Sequence, residues 1–170
     1  MYFVYFHLII KYGITFWGNS ADNKSIFPWQ NANVRIVSDN GGKIQKAHKP
    51  VFKALEILTL PAKHISSLMT LVVNNLEYFT CNFSVHNSNT WKKLKVHRQI
   101  AKLSSLHKKS IITSITVFNK LPECTIDVIK DEKHFMWAMK RYSLVQPLYS
   151  INEFLDYKYE INTNDCCNIK

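Results

Sequence analysis

Glycine and proline are scarce in this sequence, at four and five of 170 residues. The Gly-rich turns of many-stranded sandwiches and the glycine loops that cradle phosphates therefore have little to draw on. No G-x-x-x-x-G-K-S/T, G-x-G-x-x-G or G-x-S-x-G run occurs. Four cysteines (Cys81, Cys124, Cys166 and Cys167) do not make a disulfide scaffold, and the adjacent last pair reads as free thiols. The seven histidines are scattered, and none stands at zinc spacing from a cysteine. A lone histidine such as His64 reads first as a core or surface residue. Acids are few, 12 against 22 Lys and Arg. The one adjacent acidic pair, Asp131-Glu132, sits where it favours a helix dipole rather than a metal ion. A long hydrophobic run is missing too. Tyr2–Ile10 is about half the ~20 residues of a bilayer span, no cation precedes it, and no small-residue cleavage site follows. These absences point to an intracellular protein of nucleus or cytoplasm, not a secreted one.

What remains is a basic chain, 46% hydrophobic and 13% aromatic, with enough apolar material for one modest core. Its coarse organisation is a domain over residues 1–157 and a polar tail over 158–170. Residues 2–11 read as a helix or strand. Residues 26–38 suit a helix capped by Ser25, with Pro28 in its first turn. A short helix is expected at 49–58. Residues 62–79 carry the clearest 3.6-residue period, behind Pro61, with Ile65, Leu68, Met69, Val72, Val73, Leu76 and Phe79 in register. The β-branched run Ile111–Val117 favours a strand by propensity, yet Phe118 and Leu121 extend a face that a helix would also show. Another helix is expected over 127–144, and Ser150-Ile151-Asn152-Glu153 has the form of a capping box. The fold class is thus mainly α, a small helical bundle with irregular loops and a short β segment near 111–117. Met1 abuts an apolar segment with no cap or lead-in, which reads as a domain cut upstream, and Met1–Trp17 is expected to expose apolar surface.

The charge is uneven. Residues 86–143 hold 12 cations and 4 acids, whereas 144–170 hold 2 cations and 4 acids. The densest patch is Lys92, Lys93, Lys95, Arg98, Lys102, Lys108 and Lys109, with no acid among them and with Trp91, His97 and His107 interleaved. Lysine and arginine neutralise phosphates and release counterions, and an aromatic among them offers a stacking face to an unpaired base. The segment therefore reads as a sequence-independent site for an RNA or DNA backbone, with Trp91 as the stacking residue. The plainer alternative is a solvated charged loop. No small-molecule site and no oligomeric state can be read from the chain.

Several segments together resemble a known pattern. Tyr12-Gly13-Ile14-Thr15-Phe16-Trp17-Gly18 is similar to the Y-G-I-x-x-W-G segment that follows the polymerase palm in non-LTR (LINE, jockey-like) retrotransposon reverse transcriptases of insects. Gln30-Asn31 with Val34-Arg35-Ile36 resembles that family's Q-K-x-x-V-R-I-I helix. Phe52-Lys53, Leu55-Glu56-Ile57-Leu58 and Leu60-Pro61 resemble L-F-K-x-L-x-I-L-x-L-P. Asn89-Thr90, Leu94 and His97-Arg98 resemble N-T-R-x-x-x-x-L-H-R. Phe118-Asn119-Lys120-Leu121-Pro122 resembles the F/W-N-x-L-P signature. Phe135, Lys140-Arg141-Tyr142 and Tyr149–Phe154 resemble the closing helix and tail. The matches run in family order over about residues 5–155. Asn31 stands where the family has Lys, Trp91 where it has Arg, and Ser114 where it has Gly. His48-Lys49-Pro50 replaces a Ser-Cys-Arg type segment. Such losses are those of a truncated or decayed copy.

The resemblance implies that residues 1–157 are a thumb-like region C-terminal to the palm. The parent enzyme is an RNA-directed DNA polymerase using Mg2+. Its Asp-Asp box and endonuclease do not occur in these residues. The chain is then expected to carry no catalytic residue and no cofactor of its own, and to hold a template or primer backbone weakly. Two alternatives stand beside it: a stand-alone basic nucleic-acid-binding module, and, least favoured, a membrane-associated protein anchored by residues 2–17. Two-metal nucleotide addition needs paired carboxylates. The purified chain is therefore expected to incorporate no nucleotide on a primed template with Mg2+, as measured by primer extension.

Overall fold

A computed structural model describes residues 6–20, 23–38, 49–80, 95–97, 110–121, 131–145 and 147–156. Among these residues there are helices and no strand or sheet. In chain order they are α1 (Phe6–Lys11), α2 (Ile14–Trp17), α3 (Asn23–Ser38), α4 (Lys49–Ala54), α5 (Leu60–Asn74), α6 (Ser110–Phe118), α7 (Glu132–Val145) and α8 (Ile151–Asp156). A single 3-10 turn, Leu76–Tyr78, continues α5.

Helix α5 organises the rest. Its apolar positions recur every three to four residues, so Ile65, Leu68, Met69 and Val72 line up and are fully buried. Pro61 sits in its first turn, where no backbone donor is lost. The main core gathers these side chains with Ile115, Val117 and Phe118 of α6, Phe135 and Met139 of α7, Phe154 of α8, and Val96, Leu121 and Leu148 from the connections. Two smaller clusters flank it. Val34, Phe52 and Ile57 join α3 to α4, while Ile10 and Ile14 close over Leu60.

Three expectations need correction. The β-branched run 111–117 is helical, not a strand. Its propensity yields because Thr113, Ser114, Val117 and Phe118 present one buried face to α5. Its hydroxyls also turn back onto the helix: Ser114 Oγ donates to the Ile111 carbonyl at 2.7 Å, and Thr116 Oγ1 to that of Ile112 at 2.8 Å. Second, α3 begins at Asn23, so Pro28 lies inside it rather than in its first turn and cannot donate to the carbonyl of residue 24. Third, the apolar N-terminal segment is only half exposed. Leu8, Ile9, Tyr12 and Phe16 face solvent, but Ile10 is 3% exposed and Ile14 is buried. A helix has two faces, and the second packs on Leu60. Phe3 and the tail over 158–170 lie outside the described residues.

Caps define the ends. Asp131 Oδ1 accepts from the Lys133 and His134 amides at 3.1 and 3.3 Å, which places this acid at the start of α7. Residues 127–130 lie outside the described residues. At α8, Ser150 Oγ accepts from the Glu153 amide at 3.0 Å, and Glu153 Oε2 accepts from the Tyr149 amide at 2.7 Å. This is a capping box displaced by one residue on its return bond. Helix α4 stops at Ala54. Glu56 adopts φ 52°, and the Ile57 amide donates back to the Phe52 carbonyl at 2.9 Å. That left-handed turn satisfies a carbonyl the helix leaves free.

The junction at residues 58–60 is held by two side chains from elsewhere. Gln30 is fully buried; its Nε2 donates to the Leu58 carbonyl at 2.8 Å and its Oε1 accepts from the Leu60 amide at 2.7 Å. Thr59 caps α5 by accepting from the Ala62 amide, and its hydroxyl donates to the Leu148 carbonyl. Orphaning a buried donor costs about 1–3 kcal/mol, and two groups would be stranded together. Gln30→Ala should therefore destabilise the fold by about 3 kcal/mol, measured as a lower urea midpoint at unchanged m-value.

Candidate nucleic-acid interface

Most of the cationic segment lies outside the described residues. That holds for Trp91, Lys92, Lys93, Arg98, Lys102, Lys108 and Lys109. Lys95, Val96 and His97 are described, and they form its anchored centre. Val96 is buried in the main core, with Lys95 and His97 half-buried on either side. Asn119, just beyond α6, holds this point with both ends of its amide. Its Oδ1 accepts from the Val96 amide and its Nδ2 donates to the Val96 carbonyl, each at 2.9 Å. The His97 amide donates to the Thr80 carbonyl at 2.8 Å. Sequence reading placed the cations and missed this attachment. The signal was Asn119 between the buried Phe118 and Leu121, a polar residue at a core junction.

Beside His97 opens a groove of about 430 Å³ between the end of α5 and the start of α6. Leu71, Phe79, Ile112 and Ile115 supply apolar walls, with Tyr78 and Ile111 at the edge. Tyr78 is 79% exposed and Ile111 is 56% exposed. An open apolar groove with a free phenol ring beside a cationic segment suits a flat, unpaired base. Tyr78 was missed because the 62–79 periodicity ends on Leu76 and Phe79 and gives no meaning to the two residues between them.

His64 is fully buried on α5, and its ring lies against Gly18, where an added Cβ would fall 2.5 Å from the imidazole carbons. Gly18 is thus required by close approach, whereas Gly13 is required by its φ of 69°. Neither ring nitrogen of His64 makes a hydrogen bond. Burial drives its pKa down from 6.5 to about 4, although the nearby Thr15 backbone pulls it slightly back. Of the core and surface readings of His64 the core one applies, but its ring nitrogens are not satisfied as a core histidine's ordinarily are. Among the described residues no three His, Cys, Asp or Glu side chains gather as a metal site, and no helix is long and apolar enough to cross a membrane.

No protein-family model, curated protein or solved structure matches the chain.

Because His64 is held neutral, the unfolded chain takes up a proton first as pH falls. The stability this group provides is full above pH 6.5 and drains away down to about pH 4. That window should cost the wild type about 3 kcal/mol. His64→Gln should show a correspondingly smaller loss between pH 7 and pH 4.5 in urea unfolding. Equal losses would refute the assignment.

Proposed function

We propose that the chain is the thumb-like, post-palm part of a non-LTR retrotransposon reverse transcriptase. In this reading it holds a template or primer backbone through the cationic segment 92–109 and performs no chemistry itself. One observation carries the reading: the middle of an acid-free run of seven cations is fastened to the core by Asn119, next to an open groove edged by an exposed tyrosine. A merely solvated loop has no need of such an anchor. Backbone contacts by lysine position a strand without reading its sequence, and an aromatic edge receives bases of any identity.

The segments that carry the family resemblance support the reading in a second way, since four of them hold part of the architecture. Gly18 admits the His64 ring, Gln30 clamps the entry to α5, Phe52 fills the smaller core, and Asn119 fastens Val96. An ordered series of such positions is the trace expected of a shared fold.

A stand-alone basic helical module is the second reading. The continuous core under α5, α6, α7 and α8 favours it, because such a core can sustain cooperative folding. A single sharp thermal transition of the isolated chain favours the module; aggregation on isolation favours the fragment.

Strand binding is tested by filter binding of a 20-nucleotide single strand across a salt series. The logarithm of affinity should fall with that of salt at a slope of about 0.7 per neutralised phosphate. Replacing Lys92, Lys93 and Lys95 by Gln should flatten the slope by about two units. Tyr78→Ala should weaken binding about tenfold or more while leaving the slope alone. Binding that ignores ionic strength, or none, refutes the proposal.

A further inference from the structure

Helix α7 has two unlike faces. Phe135, Ala138, Met139 and Ser143 are buried, and Phe135 and Met139 enter the main core. At about 100° per residue, Lys133, His134, Trp137, Lys140 and Arg141 fall on the other side, within an arc of about 120°. All five are exposed. No acid occurs from residue 133 to residue 145. Asp131 and Glu132 lie outside the arc at the start of the helix, and Asp131 is engaged in the cap. Among the described residues none of Lys133, Lys140 and Arg141 has a carboxylate partner.

Three of these side chains touch. The Arg141 guanidinium lies over the Trp137 ring, 5.3 Å from its centroid. His134 meets the same indole edge-on, with ring centroids 6.3 Å apart and planes at 69°. Trp137 nevertheless stays 49% exposed. Two features set this face apart from an ordinary solvated one. A solvated helix face mixes signs, because acid and base at i, i+4 attract, whereas here cations stand alone. Its one large ring is also stacked with a guanidinium outside the core, a flat pair to which a further flat ring can be added. Lys133 and Arg141 are eight residues apart, about 12 Å along the axis. That is the length of about three or four nucleotides stacked at about 3.4 Å.

We propose that the exposed face of α7 docks a single-stranded nucleic acid, with Lys133, Lys140 and Arg141 against phosphates and Trp137 against a base. Charge complementarity selects a polyanion. The indole–guanidinium pair selects one that carries unpaired planar rings, which a duplex hides and an acidic peptide lacks. Phe135 and Met139 fix the helix from behind, so the face is presented without a further folding step. The proposal extends the reading above to a second surface. It shares with the 92–109 segment only the class of partner, and each surface can fail without the other.

The test irradiates the full chain with a 20-nucleotide strand substituted throughout with 4-thiouridine, and maps cross-linked peptides by mass spectrometry. Cross-links within residues 133–141, Trp137 foremost, are expected whatever happens at 91–109. Cross-links confined to 91–109 leave the earlier reading standing and overturn this one, as does their complete absence. In filter binding, W137A should weaken the strand about tenfold at an unchanged salt slope. K140Q/R141Q should flatten the slope by about 1.4, at about 0.7 for each phosphate released. Both variants change exposed residues, and circular dichroism checks that they fold as the wild type does. Wild-type affinity and slope in both folded variants overturn the proposal. So does loss of the cross-links at 133–141 to polyglutamate of equal charge, which would mark the face as one for an acidic protein.

Discussion

The arrangement depends on how the chain enters α5. Thr59 is extended as the chain turns into α5, and it and Leu60 are buried, so the polar backbone groups at this entry need partners from the protein. A strand would meet them with a neighbouring strand. Here Gln30 does so, with one amide supplying the acceptor for Leu60 and the donor for Leu58. Buried backbone groups must be paired, so α3 is fixed to α5 wherever this amide lies. Thr59, between the two, draws in the segment around Leu148. Three parts of the sequence thus meet at these residues, and Ile10 and Ile14 pack on Leu60 beside them.

The same device recurs at Asn119 and Val96. Both amides read main chain, both carry donor and acceptor on one planar group, and both lie next to core side chains. A helical bundle with long connections has few other means of satisfying extended backbone that crosses its interior. The repeated use of side-chain amides explains how a fold without a sheet among its described residues tolerates such crossings.

Legibility from sequence followed the physics of each element. Helix α5 was readable because its apolar period persists for several turns, and the box at α8 because capping needs only local chemistry; Asp131 was read as favouring a helix dipole, and its capping of the Lys133 and His134 amides was not. Helix α6 was ambiguous because β-branching and amphipathicity gave opposite answers, and only packing against α5 decides between them. The early start of α3 escaped because proline marks a helix's first turn by preference and not by necessity. Gln30 and Asn119 were invisible to any pattern of hydrophobicity. A polar side chain that reads backbone 28 or 23 residues away leaves no periodic trace. Of the candidate site, charge was legible and shape was not. The cations of 92–109 stand out by composition, whereas the groove at Tyr78 depends on which elements meet.

The bond from Thr59 to the Leu148 carbonyl spans 89 residues of chain. The entry to helix α5 therefore gains this partner only after a segment 89 residues further along the chain has arrived. During synthesis on a ribosome the central helix would emerge with that hydroxyl lacking its final acceptor and with Phe135 and Phe154 still to come. Contacts of such separation raise the contact order and slow the search for the native state. The folding rate should accordingly be limited by the docking of the C-terminal helices, far more than by the speed at which any one helix winds.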